Sequence, residues 1–153
     1  MIIRKKSEEL RNFLKQADEF NNVLLVEGAR QVGKTTLIHQ VLKENKSAFI
    51  EVNLEENIAL TQRIDLFVNF DAFTDLLGAQ LKFYPGSGKV LFIDEAQESR
   101  QLGQFVRFMK EKWRHTQVIL SGSLMARIFR DNTRYPVGRV NSLHIQPFSF
   151  EEF

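Results

Sequence analysis

Cysteine is absent from this chain of 153 residues, and histidine occurs only three times, at scattered positions. These absences exclude a disulfide framework and a thiolate metal site, and His39, His115 and His144 do not form a cluster of metal ligands. No run approaches the roughly 18 apolar residues of a membrane-spanning helix, and no apolar stretch follows the charged first residues as in a signal peptide. We therefore expect a soluble, cytoplasmic protein.

The chain also lacks a strong excess of charge of one sign, since its formal net charge is +2. The charge is unevenly distributed, because residues 100–139 carry nine basic side chains against two acidic ones, a local charge of +7. The nine are Arg100, Arg107, Lys110, Lys112, Arg114, Arg127, Arg130, Arg134 and Arg139. Such a region can contact the phosphates of a nucleotide or a nucleic acid, or it can be the solvated face of ordinary helices. The sequence leaves both interpretations open.

Short apolar runs alternate with segments of helical periodicity. The runs that predict strands are residues 23–26, 48–52, 89–93 and 118–120, of which the third and fourth are apolar on both faces. Helices are predicted over residues 7 to about 19, from Thr35 onward after the first strand, and over 102–113. This alternation predicts a single α/β domain with a mostly parallel sheet covered by helices on both faces. Residues 54–88 are less regular, although apolar spacing predicts one helix that ends before Pro85.

The most specific pattern is a P-loop, also called Walker A, directly after the first predicted strand. It reads Gly28-Ala29-Arg30-Gln31-Val32-Gly33-Lys34-Thr35-Thr36, and we predict that these residues bind the phosphates of a nucleotide. The two glycines let backbone N–H groups turn toward the β-phosphate. Lys34 adds a positive charge near the β- and γ-phosphates, and Thr35 offers a hydroxyl to Mg²⁺. The alternative, a surface turn with an incidental lysine, is disfavoured because strand, loop and helix follow in the required order.

Two adjacent carboxylates, Asp94 and Glu95, follow the third predicted strand. A P-loop hydrolase needs such a pair opposite its phosphate loop, so Asp94 is the candidate metal ligand and Glu95 the candidate residue that activates water. Ser121, at the end of the fourth strand, can reach the same site if that strand lies between the other two. It can equally belong to a plain turn before the next helix.

These motifs resemble a prokaryotic family of predicted AAA-like P-loop ATPases, and the resemblance covers nearly the whole chain. Besides the P-loop it rests on residues 94–97, 120–123, 138–139 and 147–153, which read DEAQ, LSGS, GR and PFSFEEF. Ala29 departs from the proline that is common in the family, but the glycines of the loop are kept. The resemblance implies a five-stranded AAA-type core of three layers, ATP with Mg²⁺, Asp94 and Glu95 as the Walker B carboxylates, and Ser121 as a sensor-like residue.

The resemblance also bears on the partners and the extent of the protein. Arg139 corresponds to a family arginine ahead of the last core strand, residues 142–145, where it can reach a γ-phosphate in its own or a neighbouring subunit or pair with a carboxylate. Some AAA relatives complete their sites between subunits, which makes a homo-oligomer an expected partner. Longer family members continue beyond the last motif, so we expect residues 1–153 to be the ATPase core of a longer protein.

The main hypothesis is an ATP-binding, Mg²⁺-dependent hydrolase that drives or gates a conformational change. Its alternative is a nucleotide-gated module with little hydrolysis, whose basic residues 100–139 contact nucleic acid or a protein. A small-molecule kinase is a third alternative, but it lacks a recognisable acceptor site, and Glu95 favours hydrolysis because a kinase site must exclude water. The sequence does not choose between ATP and GTP.

Overall fold

The computed structural model describes residues 2–15, 22–28, 33–123 and 141–145, and for residues 2–7 and 141–145 the backbone alone. The described residues form five α-helices: α1 (Ile2–Lys15), α2 (Lys34–Glu44), α3 (Ile58–Leu66), α4 (Phe70–Leu81) and α5 (Leu102–Lys112). Their five strands are β1 (Val23–Gly28), β2 (Phe49–Asn53), β3 (Val90–Asp94), β4 (Val118–Gly122) and β5 (Asn141–Ile145). A one-turn 3₁₀ helix, Ala96–Glu98, lies between β3 and α5. Among the helices described, none has the length and apolar character needed to cross a bilayer.

The five strands form one sheet in the order β2-β3-β4-β1-β5, and all pairs are parallel. The parallel sheet predicted from the alternation of elements is confirmed. β4 pairs with β1 on one side and with β3 on the other, so it lies between the strand that leads to α2 and the strand that ends in Asp94. Because the strands run in one direction, their carboxyl ends lie along one edge of the sheet.

Successive residues of the central strands point to opposite faces of the sheet and are buried in two separate cores. Val23 and Leu25 of β1 belong to the core that α3, α4 and α5 complete, whereas Leu24 and Val26 belong to the core that α1 and α2 complete. β3 and β4 alternate in the same way. Helices thus cover both faces, as predicted, and this burial explains why the central strands have no polar face.

The helical stripes read from the sequence are the faces that α2 and α5 bury. In α2 the buried apolar residues are Leu37, Ile38, Val41 and Leu42. In α5 they are Leu102, Phe105, Val106 and Met109, and Trp113 follows as the buried C-cap residue. The two helices lie on opposite faces of the sheet, because their stripes belong to different cores.

Residues 54–88 contain two helices, whereas their apolar spacing predicts one. α4 is the predicted helix and ends before Pro85. α3 was missed, although its cap gives a signal: the side chain of Asn57 accepts a hydrogen bond from the backbone N–H of Leu60 at 3.1 Å. Leu60 and Ile64, one helical turn apart, are both buried. An asparagine cap followed by apolar residues at this spacing could have identified the helix.

The prediction that α1 begins at Ser7 is wrong, because the helix already includes Ile2. Residues 2–6 contain straight-chain basic side chains and no glycine or proline, so nothing there ends a helix. The buried side chains Leu10, Phe13 and Leu14 have the predicted spacing. Arg11 of α1 donates to Glu44 of α2 at 2.9 Å, and this hydrogen bond lowers the pKa of Glu44. The predicted end of the helix near residue 19 lies outside the described residues.

Asn22 connects β1, β4 and the turn after α5. Its buried side-chain Nδ2 donates to the backbone oxygens of Met109 at 3.1 Å, Trp113 at 2.8 Å and Thr116 at 3.3 Å. Its own backbone oxygen accepts from the N–H of Val118 at 2.8 Å, at the start of β4. One amide side chain thus fixes where α5 ends relative to the two central strands.

We expect Asn22→Ala to lower the free energy of unfolding by about 1–3 kcal/mol, because buried carbonyl oxygens lose a donor that water does not replace. The measurement is urea denaturation followed by circular dichroism. Gln104, exposed on α5, provides the control, since Gln104→Ala should change the same free energy by less than about 0.5 kcal/mol. Equal unfolding midpoints for the two variants would contradict this account of Asn22.

Candidate functional site

Five of the predicted site residues meet at the carboxyl edge of the sheet, beside the first turn of α2. They are Lys34, Thr35, Asp94, Glu95 and Ser121, and hydrogen bonds join them across three chain segments. In the described part of the chain, the buried charged residues are Lys34, Asp94 and Glu95, and all three lie here. Buried charge is costly, so its concentration in one place indicates a site that a ligand completes.

The phosphate loop is described at its two ends. Gly28 is the buried last residue of β1, and Gly33 is the N-cap of α2 with φ 76° and ψ 23°. This left-handed backbone favours glycine, and a Cβ on Gly33 would meet no atom within 4 Å. Conformation and not crowding therefore requires glycine at this position. The predicted phosphate-binding residues 29–32 lie outside the described residues.

The first turn of α2 follows a glycine, which has no side chain to cap the helix. Gly33 makes no side-chain cap hydrogen bond, and the first N–H groups of a helix have no partner within the helix itself. Thr36, which the P-loop pattern includes, is exposed in this turn. Such N–H groups and the positive end of the helix dipole together suit an anion such as a phosphate.

Lys34 is 2% exposed and forms an ion pair with Glu95, with 3.4 Å between Nζ and Oε1. The two residues belong to different elements, since Lys34 opens α2 and Glu95 follows β3. Removing either partner of a buried ion pair leaves the other charge uncompensated, so each residue depends on the other.

Asp94 accepts three hydrogen bonds. Its Oδ1 accepts from Ser121 Oγ at 2.6 Å and from the backbone N–H of Glu95 at 2.9 Å, and its Oδ2 accepts from Thr35 Oγ1 at 2.8 Å. All three partners donate, as an ionised carboxylate requires. Ser121 reaches Asp94 because β4 lies between β1 and β3, the condition that the sequence analysis left open.

Glu95 has a left-handed backbone, with φ 52° and ψ 45°, which is uncommon for a residue that carries a Cβ. β3 ends at Asp94, and in a continuing strand the next side chain would point to the opposite face of the sheet. The left-handed residue bends the chain, and the carboxylate of Glu95 reaches Lys34 while Asp94 reaches Thr35. Strain of this kind concentrates at functional sites.

Gln97 belongs to the same cluster, although no function was predicted for it from the sequence. It is 4% exposed, and its Nε2 donates to Oε2 of Glu95 at 2.7 Å. Its position two residues after Glu95 indicates only weakly that the two side chains are in contact, because residues at this spacing meet only if the backbone turns between them. The left-handed conformation of Glu95 provides that turn.

The donors present fit a magnesium ion held together with a nucleotide. The hydroxyl of Thr35 and the carboxylate of Asp94 are hard oxygen ligands that already touch. No group of three or more His, Cys, Asp or Glu side chains that could hold a metal occurs within the described ranges. Magnesium typically uses one or two carboxylates together with phosphate oxygens and water instead of an all-protein cage.

The basic region 100–139 is described as far as residue 123. Arg100, Arg107, Lys112 and Arg114 are exposed, and Lys110 is half-buried. The guanidinium of Arg107 lies 5.4 Å from the ring centre of Phe108, and Lys112 Nζ lies 5.5 Å from the same ring. The other four basic residues of the region lie outside the described residues, and one of them is Arg139, the predicted γ-phosphate arginine.

Residues 20–153 match a protein family described as an AAA domain. No curated protein matches the sequence. The fold resembles 452 chains of known structure, and one of them is the crystal structure of Cdc6p from Pyrobaculum aerophilum. That pair has a TM-score of 0.59 and 14% sequence identity, and the match covers 98% of this chain and 45% of the other. At this identity the likeness shows the fold alone, and a fold this widespread does not define a substrate.

The strain at Glu95 can be measured with two substitutions that both remove the carboxylate. We expect Glu95→Gly to be more stable than Glu95→Ala by about 1 kcal/mol, because glycine adopts the left-handed conformation without a Cβ clash. Urea denaturation gives the difference.

Glu98, exposed in the 3₁₀ helix, supplies the control for this comparison. Its φ is not positive, so Glu98→Gly should be less stable than Glu98→Ala. The same sign of the glycine-minus-alanine difference at both positions would show that Glu95 is not strained.

Proposed function

The chain belongs to the AAA domain family that its residues 20–153 match, and on that premise we propose that it is a magnesium-dependent ATPase core. Family and fold support a nucleotide-binding module of the ATPase type. The finer proposal is that the chain hydrolyses ATP to ADP and phosphate and thereby drives or gates a conformational change. The observation that carries it is the cluster of Lys34, Asp94 and Glu95, the buried charges of the described part, at the uncapped N-terminus of α2.

The triphosphate would bind at the first turn of α2. The N–H groups at a helix N-terminus suit phosphate oxygens, and Lys34 Nζ is the nearby positive charge. A nucleotide at this position competes with Glu95 for Lys34. Binding would therefore free one oxygen of Glu95 from its ion pair and leave the carboxylate ready to accept a proton.

Thr35 and Asp94 would hold the magnesium ion, which would supply positive charge that offsets the charge of the phosphates. Thr35 Oγ1 donates to Asp94 Oδ2 at 2.8 Å, so both oxygens lie at one place. Ser121 donates to the other oxygen of the same carboxylate at 2.6 Å, so it fixes how Asp94 presents its ligand oxygen. This contact supports a sensor-like function for Ser121, as the resemblance implied.

Glu95 would act as the general base of the hydrolysis. A water oxygen forms a bond to the γ-phosphorus while the bond from that phosphorus to the bridging oxygen breaks, and ADP leaves with the electron pair. The proton of the water passes to the carboxylate of Glu95. Asp94 accepts from Thr35, Ser121 and the N–H of Glu95 and would use its remaining acceptor capacity for the magnesium ion, so the two adjacent carboxylates have different tasks.

The remaining predicted partners stay predictions. A homo-oligomer would place an arginine of one subunit, for which Arg139 is the candidate, at the γ-phosphate of another. The exposed basic residues Arg100, Arg107, Lys112 and Arg114 could meet a nucleic acid or an acidic protein, but exposure is equally the property of a solvated helix face.

Lys34→Ala should abolish detectable binding of Mg-ATP, because the phosphates lose their nearest positive charge. Binding is measured by titration with a fluorescent ATP analogue. Lys43 is an exposed lysine on the same helix, so Lys43→Ala is a matched control that should retain the affinity of the parent chain. Equal losses in both variants would mean that general charge, and not this site, binds the nucleotide.

Glu95→Gln should keep the affinity for Mg-ATP within a few-fold and lower kcat by about 10²- to 10⁴-fold, the usual contribution of a general base. Phosphate release and nucleotide titration measure the two effects. Glu98→Gln, an acid-to-amide change three residues away on an exposed side chain, should match the parent in both. A Glu95→Gln variant that hydrolyses ATP at the parent rate would refute the assignment of the base.

A further inference from the structure

The contacts of Gln97 suit a residue that orients the attacking water together with Glu95. We propose that its Nε2 holds the carboxylate of Glu95 in place and that its Oε1 accepts one hydrogen of the water whose proton Glu95 removes. The substrate concerned is water, held in line with the terminal phosphate of a nucleoside triphosphate. This inference rests on the proposed function and deepens it.

The orientation of the Gln97 amide follows from its partner. Oε2 of Glu95 lies 2.7 Å from Nε2 and can only accept while the carboxylate is ionised, so the NH₂ group faces Glu95. The amide oxygen is then the free end of the side chain. It is buried and accepts no hydrogen bond in the part of the chain that the structure describes.

A buried amide oxygen without a donor is unusual, since the large majority of buried polar atoms are paired. Gln97 is 4% exposed, so bulk water does not satisfy it. A water molecule between Glu95 and the terminal phosphate would supply the missing donor, because it has one hydrogen for the carboxylate and a second for Oε1 of Gln97.

Gln97 also becomes more important once a nucleotide binds. In the structure Glu95 is held on both sides, by Lys34 at Oε1 and by Gln97 at Oε2. The phosphates draw Lys34 away, and Gln97 is then the side chain, of those described, that still restrains the carboxylate. A freely rotating carboxylate is a poor base, because the rate depends on its alignment with the water.

The backbone that carries Gln97 is well supported. The N–H of Glu98 donates to the backbone oxygen of Glu95 at 3.1 Å, which closes the turn around Gln97. Next along the chain, Ser99 is fully buried, and its Oγ donates to Asp65 of α3 at 2.6 Å. The segment is thereby attached to a neighbouring helix, and Gln97 has a fixed base from which to position Glu95.

The test uses Gln97→Met, which keeps the length and packing of the side chain and removes its hydrogen bonds. Four quantities are measured: kcat, KM for Mg-ATP, the affinity for Mg-ADP, and the affinity for Mg-ADP with aluminium fluoride, which mimics the phosphoryl group under attack by water. We expect kcat and the affinity for the aluminium fluoride complex to fall by about 10- to 100-fold, with KM and Mg-ADP affinity within two- to three-fold. Gln101→Met, the same change farther along the segment, should leave all four unchanged.

Each outcome decides the question. If Gln97→Met matches the parent in kcat and in aluminium fluoride binding, or has a higher kcat, Gln97 does not position the water. If Mg-ADP affinity falls as much as kcat, Gln97 only maintains the fold of the site, and the inference is equally overturned. Gln97→Leu is apolar and similar in volume but has neither a donor nor an acceptor, so it should show the same selective loss, and it decides the matter if Gln97→Met does not fold.

A failure of the ATPase proposal gives a different experimental result from a failure of the proposal for Gln97. A parent chain that releases no phosphate from ATP refutes the ATPase proposal and the function of Gln97 with it. A parent chain that hydrolyses ATP while Gln97→Met does so equally well refutes the function of Gln97 alone.

Discussion

The insertion of β4 between β1 and β3 in a fully parallel sheet is the constraint on which the site depends. The central strands are buried on both faces, so a polar side chain along them would lose its water without gaining a partner. Polar chemistry is therefore confined to the ends of the strands, and parallel pairing puts all the carboxyl ends at one edge. The helix that follows β1 starts at this edge, with Asp94 and Ser121 beside its first turn.

The charges at this edge are balanced only in part. Glu95 is paired with Lys34, whereas Asp94 is stabilised by hydroxyl and N–H donors. A cation beside Asp94 and phosphates beside Lys34 would complete both halves of the arrangement. In the proposed function the phosphates would compete with Glu95 for Lys34, and ligand binding would thereby be coupled to the freedom of Glu95. The left-handed backbone of Glu95 is strained, and it is this conformation that directs two adjacent carboxylates into one site.

Much of the fold could be predicted from local patterns. The apolar runs at β1, β3 and β4, the stripes of α2 and α5, and the helix before Pro85 follow from periodicities of two and 3.6 residues. The misses were also local: α3 has a short apolar stripe behind an asparagine cap, and α1 starts before the serine that resembled its cap. Short helices and helix ends of this kind depend on intrinsic helix propensities, which are weak and which a few tertiary contacts override.

By itself the sequence determined the residue types of the site, namely the glycines and lysine of the P-loop, the paired carboxylates and the serine at the end of a strand. It also determined the parallel sheet, because strands without a polar face must be covered on both sides. The tertiary structure alone decided that β4 lies between the other two strands, that the carboxylate of Glu95 turns back to Lys34, and that Gln97 is buried against it. The physical reason is that strand order and a single left-handed residue result from packing and backbone strain summed over the whole domain, whereas a sequence motif reports only neighbours along the chain.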